Sequence, residues 1–188
     1  MVYEPHPDAK NAPSLSGETW EKKGDLYVIR LQKLTDDERL AYIQRMTGLA
    51  TDPFAAKPGH EPRFYGFLLE VENHGEGSID LNPFNCWLMP SNAKVRNPIG
   101  LTDLSFTYHM AGADLPPAYE KVGEIIIDEP KVIHAGRTFH GLLVYRALEK
   151  TPRSFHVDVQ LTLPDGNVAR FRAPYRRLKI KQPKSEEP

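Results

Sequence analysis

Residues 155–173 read FHVDVQLTLPDGNVARFRA, and this stretch decides the fold. Phe155, Val157, Val159, Leu161 and Leu163 alternate with His156, Asp158, Gln160 and Thr162. A period of two places the first set on one face of a strand and the second on the other. PDGN at 164–167 is turn chemistry, and a second strand follows with Ala169, Phe171 and Ala173 on one face and Arg170 and Arg172 on the other. Two ionised arginines do not share a buried face without partners. A loop of two or four residues would turn both inward, because a one-residue slip exchanges the faces of a strand. The pattern therefore predicts an odd loop of three residues, Asp165-Gly166-Asn167. That loop sets Phe171 opposite Leu161 and Ala169 opposite Leu163, with Arg170 beside Thr162, Arg172 beside Gln160 and Asp158 on the diagonal.

The same signal recurs upstream. Phe67, Leu69 and Val71 alternate with Leu68, Glu70 and Glu72, and NHGEG at 73–77 is a turn. Ile79 and Leu81 lead to Cys86-Trp87-Leu88, with Pro83 marking a bulge or bend. Leu104, Phe106 and Tyr108 again fit period two. Residues 124–134, EIIIDEPKVIH, carry Pro130 and read as an edge strand or a broken one. Residues 139–145, FHGLLVY, are apolar on both faces and read as a central strand. Tyr27, Ile29 and Leu31 place a strand near the start.

One helix is expected, over 35–47. Thr35 and Glu38 have the spacing of a capping box, and Asp36, Asp37 and Glu38 suit the positive end of a helix dipole. Leu40, Ile43 and Thr47, with Met46 beside them, form its apolar stripe, and Gly48 stops it. Residues 51–62 hold three prolines and read as a loop. The chain thus divides into an N-terminal linker or arm at 1–17, one β domain at 18–178 and a basic tail at 179–188. The fold class is mainly β, an antiparallel two-sheet sandwich of seven to nine strands with one short helix.

Composition agrees with an ordinary globular protein. The 188 residues are 40% hydrophobic and 26% charged, with formal net charge −1. That length suits one domain with its own core. Arg170, Arg172, Arg176, Arg177, Lys179 and Lys181 crowd the C-terminus. They read as a solvated edge and tail, not a nucleic-acid site, because no stacking aromatics are interleaved. No apolar run reaches the ~20 residues of a membrane span, and residues 1–17 show no secretory core.

Three phrases, FLLEVENHGEGSIDLNPFNCWL (67–88), VIHAGRTFHGLLVYR (132–146) and FHVDVQLTLPDGNVARFRAPYRR (155–177), resemble the immunoglobulin-like domains of bacterial envelope lipoproteins. Asn73, the Asn82-Pro83 pair and Gly136 hold the places of that family's turn positions. The resemblance covers about half the chain. It implies an immunoglobulin-like sandwich, a non-enzymatic role, and a periplasmic or outer-membrane-anchored lipoprotein whose lipid anchor sat on a removed N-terminus. A native cytoplasmic start is the alternative. The helix at 35–47 and the loop after it depart from the simplest such domains.

Chemistry is sparse. His6, His60, His74, His109, His134, His140 and His156 never stand two, three or four apart, so no strand or helix presents a ligand pair. Cys86 is the single cysteine, flanked by Asn85 and Trp87 in an apolar run, and reads as a buried, unreactive thiol. No nucleophile elbow and no phosphate-binding glycine pattern occurs. No catalytic, cofactor or metal residues are assigned. Trp87 is expected to fill the core, and Trp20, Tyr108 and Tyr119 to cover loops. Tyr108 and His109, ahead of a Gly- and Pro-containing loop, Tyr119, and the exposed Arg170 and Arg172 are the interaction candidates. The sequence points to a binding or scaffolding module with a protein partner. The alternatives are a small-ligand or carbohydrate-binding accessory domain, or a divergent enzyme built from distant histidines.

Overall fold

A computed structural model describes residues 3–9, 12–55, 64–112, 114–148 and 152–178. The tail expected at 179–188, and His60, lie outside these residues. Among the described residues ten strands form two five-stranded sheets that share no strand and close no barrel. The first sheet contains β1 (Tyr3–Pro5), β6 (Ile79–Pro90), β7 (Lys131–Ile133), β9 (Ser154–Thr162) and β10 (Val168–Arg177). Its order is β1-β10-β9-β6-β7. The second contains β2 (Ser14–Ser16), β3 (Thr19–Lys23), β4 (Tyr27–Leu34), β5 (Phe64–Asn73) and β8 (Thr138–Arg146). Its order is β2-β3-β4-β5-β8, and all neighbours in both sheets are antiparallel.

The count exceeds the expected seven to nine because the N-terminal arm joins both sheets. Tyr3 pairs with Arg177 at the edge of β10, and Leu15 pairs with Trp20. Tyr3 is buried, and its hydroxyl donates to the Pro152 carbonyl at 3.1 Å.

The β9–β10 hairpin has an odd, three-residue loop, and Arg170 and Arg172 face outward while Ala169, Phe171 and Ala173 are buried. The loop is Pro164-Asp165-Gly166, however, one residue earlier than predicted. Phe171 therefore lies opposite Val159, Ala169 opposite Leu161, Arg170 opposite Gln160 and Arg172 opposite Asp158. Gly166 takes the left-handed conformation (φ 79°) and donates to the Leu163 carbonyl at 2.9 Å. Proline's fixed φ suits the first loop position and glycine the left-handed one, which moves the turn forward by one residue and the register by two.

The inner faces of both sheets meet in one core. Phe67, Leu69, Val71 and Leu143 come from one side, and Leu81, Cys86, Val157, Val159 and Phe171 from the other. The tryptophans exchange their expected roles. Trp20 is fully buried in this core, whereas Trp87 is half-buried opposite Asp158. Asn73 ties the sheets at one corner. Its side chain donates to the carbonyls of Gly77 (2.7 Å) and Ile133 (2.8 Å) and accepts from the Gly75 amide (3.0 Å).

A second cluster covers the outer face of β5 and β8. Leu142, Val144 and Phe64 meet Tyr42, Ile43, Phe54, Leu104, Val122 and Ile126 there. This cover corrects three expectations. First, helix α1 (Asp36–Thr47) has the capping box and the Gly48 stop, but its buried face is Arg39, Tyr42 and Ile43, and Met46 is exposed. Second, it is not the one helix. Residues 101–110 form α2 (Leu101–Met110), and Pro117–Glu124 form a 3-10 segment. Leu104, Phe106 and Tyr108 satisfy period two, yet Leu101, Leu104 and Tyr108 also fall at helical spacing. Asp103 then settles the start by accepting the Gly100 amide at 3.1 Å. Third, β8 ends its sheet and is not central. It is apolar on both faces because the inner face meets the sandwich core and the outer face meets this second cluster. Its edge is closed by irregular chain: the Ile127 amide donates to the Leu142 carbonyl (2.9 Å), the Leu142 amide to Ile125 (2.7 Å) and the Ile99 amide to Val144 (2.7 Å).

Candidate functional site

Of the five interaction candidates, the fold brings three together. Tyr108 on α2 and Tyr119 in the 3-10 segment meet edge to face, with ring centroids 6.0 Å apart. The Tyr119 hydroxyl shares a 2.8 Å hydrogen bond with the Thr51 hydroxyl. Burial, reinforced by the neighbouring Tyr119, raises the Tyr108 phenol pKa above its ordinary value. Both rings serve as struts that hold α2 to the segment after it. His109, next along, is exposed and lines an open groove of about 630 Å³ between the two.

The groove's other lining includes Leu101, Ser105, Phe106, Asp114, Leu115 and Glu120. Leu104 is the only fully buried residue of α2. Phe106 is 55% and Met110 70% exposed. They stand four residues apart, one turn along the same side of the helix. Thr102 lines both this groove and a smaller cleft of about 210 Å³ that contains Pro83 and Phe84. Phe84 is 66% exposed. It is held out where β6 breaks register between Leu81 and Cys86, with the Asn82 side chain accepting its amide at 2.9 Å. Pro83 signals that break in the sequence. The outward turn of Phe106 and Met110 has no such signal once 104–108 is read as a strand.

Arg170 and Arg172 are elsewhere, on the outer face of the first sheet. The Arg170 carbonyl accepts from the Lys22 ammonium at 2.7 Å. Arg172 grips Asp158 through two hydrogen bonds of 2.8 Å, which raises the pKa of its guanidinium further. It also lines a cleft of about 330 Å³ with His6, Met89, Ser91, His156 and Pro174. His6 Nδ1 and His156 Nε2 are buried without a hydrogen-bond partner among the described residues. Burial lowers the His156 pKa below the usual imidazole value, Arg172 acts in the same direction, and Asp158 opposes them. Burial therefore favours the neutral form of His156.

The other histidines disperse. His134 meets Ser78 at 3.3 Å, His140 meets Glu70 at 3.1 Å, and His74 meets Glu72 at 2.8 Å. Glu70 and Glu72 both hold Arg30, which also pairs with Glu21 at 2.7 Å, in a charged row across the second sheet. Among the described residues no three His, Cys, Asp or Glu side chains are grouped to hold a metal. Cys86 is fully buried, and burial pushes its thiol pKa up to about 12.

No family model matches the chain, and no curated protein does. Among solved structures, the yjhA protein of Bacillus subtilis is similar over 74% of this chain and 76% of its own, at 14% identity and a TM-score of 0.42. A "putative lipoprotein" of the same organism, ycdA, is similar over 81% of this chain at 11% identity and a TM-score of 0.41. The chain spans only 37% of that protein. Among the described residues no helix is long and apolar enough to cross a membrane.

Proposed function

We propose that the protein is a non-enzymatic binding module, an immunoglobulin-like sandwich of the bacterial cell envelope that holds another protein against α2. The observation that carries this reading is the helix itself. It buries one residue completely and turns Phe106 and Met110 to solvent beside an open groove. Single exposed apolar residues are ordinary, but Phe106 and Phe84 line two clefts that share Thr102, and Met110 stands one turn from Phe106, which marks a contact surface. The envelope setting is supported by the resemblance of the three sequence phrases. Site-specific photo-crosslinking in the source cell tests the docking face. A photoreactive residue in place of Phe106 or Met110 should capture one discrete protein, and one in place of Arg170 should not. Equal capture from both faces, or none, contradicts the reading. Fractionation of the tagged, full-length gene product tests the envelope setting.

A second reading is favoured by a separate observation. His6 Nδ1 and His156 Nε2, which make no hydrogen bond among the described residues although the latter lies 3.7 Å from Asp158 Oδ1, suit a small hydrogen-bonding ligand such as a sugar in the 330 Å³ cleft. Imidazole resonances of both histidines should then move saturably on titration with a monosaccharide panel, and unmoved resonances dismiss this reading.

A further inference from the structure

We infer that the α2 groove takes a linear segment in which apolar side chains are interspersed with lysine or arginine. The inference rests on the docking reading above and adds the chemistry of the partner. Its first ground is charge. Between residues 101 and 128 stand Asp103, Asp114, Glu120, Glu124 and Asp128, against Lys121 alone. The whole chain is nearly neutral at −1, so this acidity is local. Strand β10 is its counterpart, with Arg170, Arg172, Arg176 and Arg177 and no carboxylate.

The second ground is which carboxylates are free. Asp103 accepts the Gly100 amide and Asp128 accepts the Leu101 amide at 3.3 Å, so both are used at the start of α2. Asp114 and Glu120 line the groove, are exposed, and make no ion pair among the described residues. A groove that offers Leu101, Phe106 and Leu115 beside the unpaired carboxylates of Asp114 and Glu120 selects a partner with apolar side chains and the opposite charge. Rim charges act chiefly on encounter rate and on rejection of wrong partners. The third ground is shape. The groove is open and shares Thr102 with the separate cleft at Phe84, an arrangement that suits a chain segment laid along the helix better than an enclosed small molecule.

Selection of random peptides displayed on phage against the intact protein tests this directly. The expected binders combine Lys or Arg with Leu, Ile, Phe or Met. They are lost on the Phe106→Ser variant, and weaken about tenfold on Asp114→Asn/Glu120→Gln or as salt is raised. Because all three positions are exposed, the variants should melt as the parent does, which separates binding from folding. Binders that need Phe106 but are neutral or acidic, and ignore Asp114→Asn/Glu120→Gln, leave the docking face standing and overturn the charge inference. Binders indifferent to Phe106→Ser, or no binders at all, overturn both. A concentration-dependent dimer abolished by Phe106→Ser would make the occupant a second copy of this chain, and would also overturn the proposal.

Discussion

The two apolar clusters of this molecule are built by different means. The inter-sheet core is made almost entirely by strands, and its residues arrive in register from both sides. The outer cluster covers β5 and β8 with a helix, a loop, a second helix and a 3-10 segment. Period-two patterning specifies the first. Nothing so regular specifies the second, whose pieces are held by caps and single hydrogen bonds. The comparison teaches that the sandwich supplies the stability while the outer layer shapes a surface.

That comparison breaks first if core truncations cost equally in both places. Phe67→Ala, in the middle of the inter-sheet core, should cost about 3–5 kcal/mol by urea denaturation. Leu104→Ala, in the outer cluster, should cost about 2 kcal/mol, the lower end for such a change, because α2 can settle into the space. Equal losses would mean the outer layer is as rigidly packed as the sandwich.

A buried ion pair sharpens the picture of the outer layer. The side chain of Arg39 is only 1% exposed, and its guanidinium lies 2.7 Å from the Asp52 carboxylate, whose side chain is 3% exposed, and 2.9 Å from the exposed Asp36. Asp52→Ala leaves the arginine buried with one solvated partner and should cost about 3 kcal/mol. The pair also explains Gly66 on β5, where an added Cβ would stand 2.8 Å from Arg39 Cδ.

The inter-sheet core should show itself in pH dependence. Burial raises the Cys86 thiol pKa from 9.0 to about 12, so the folded state favours the protonated form. Its contribution is full below pH 9 and is lost as pH rises toward 12. The stability of the parent relative to Cys86→Ala should therefore fall as pH rises above 9 in a melting series. The same burial predicts slow modification by a thiol reagent at neutral pH, and rapid labelling of the native protein would contradict it. At the smallest end, Arg172→Ala should cost under about 1 kcal/mol, because the Asp158 pair is exposed on the arginine side.

How far the sequence speaks follows the same division. Residues 155–163 and 67–71 declare their faces, and the parity of the β9–β10 loop follows from keeping Arg170 and Arg172 out of the core. Its exact register does not, because Pro164 and Asn167 are both good turn residues and only the left-handed Gly166 decides between them. Thr35, Glu38 and Gly48 announce α1, but not that Arg39 turns inward. That depends on Asp52, thirteen positions away in the chain. Residues 101–108 satisfy two periods at once, so α2 and with it the exposure of Phe106 and Met110 are legible only when Asp103 is seen to cap the helix. Tyr108 and His109, read as the end of a strand, lie in the last turn of α2 instead.

The central claim is that the outward face of α2 is spare to the fold and available for contact. Urea denaturation of the Phe106→Ser/Met110→Ser double variant tests it most directly. The account predicts a midpoint and slope unchanged from the parent, a difference within about 0.5 kcal/mol. A loss of about 2 kcal/mol or more would place both side chains in the outer cluster and contradict the account.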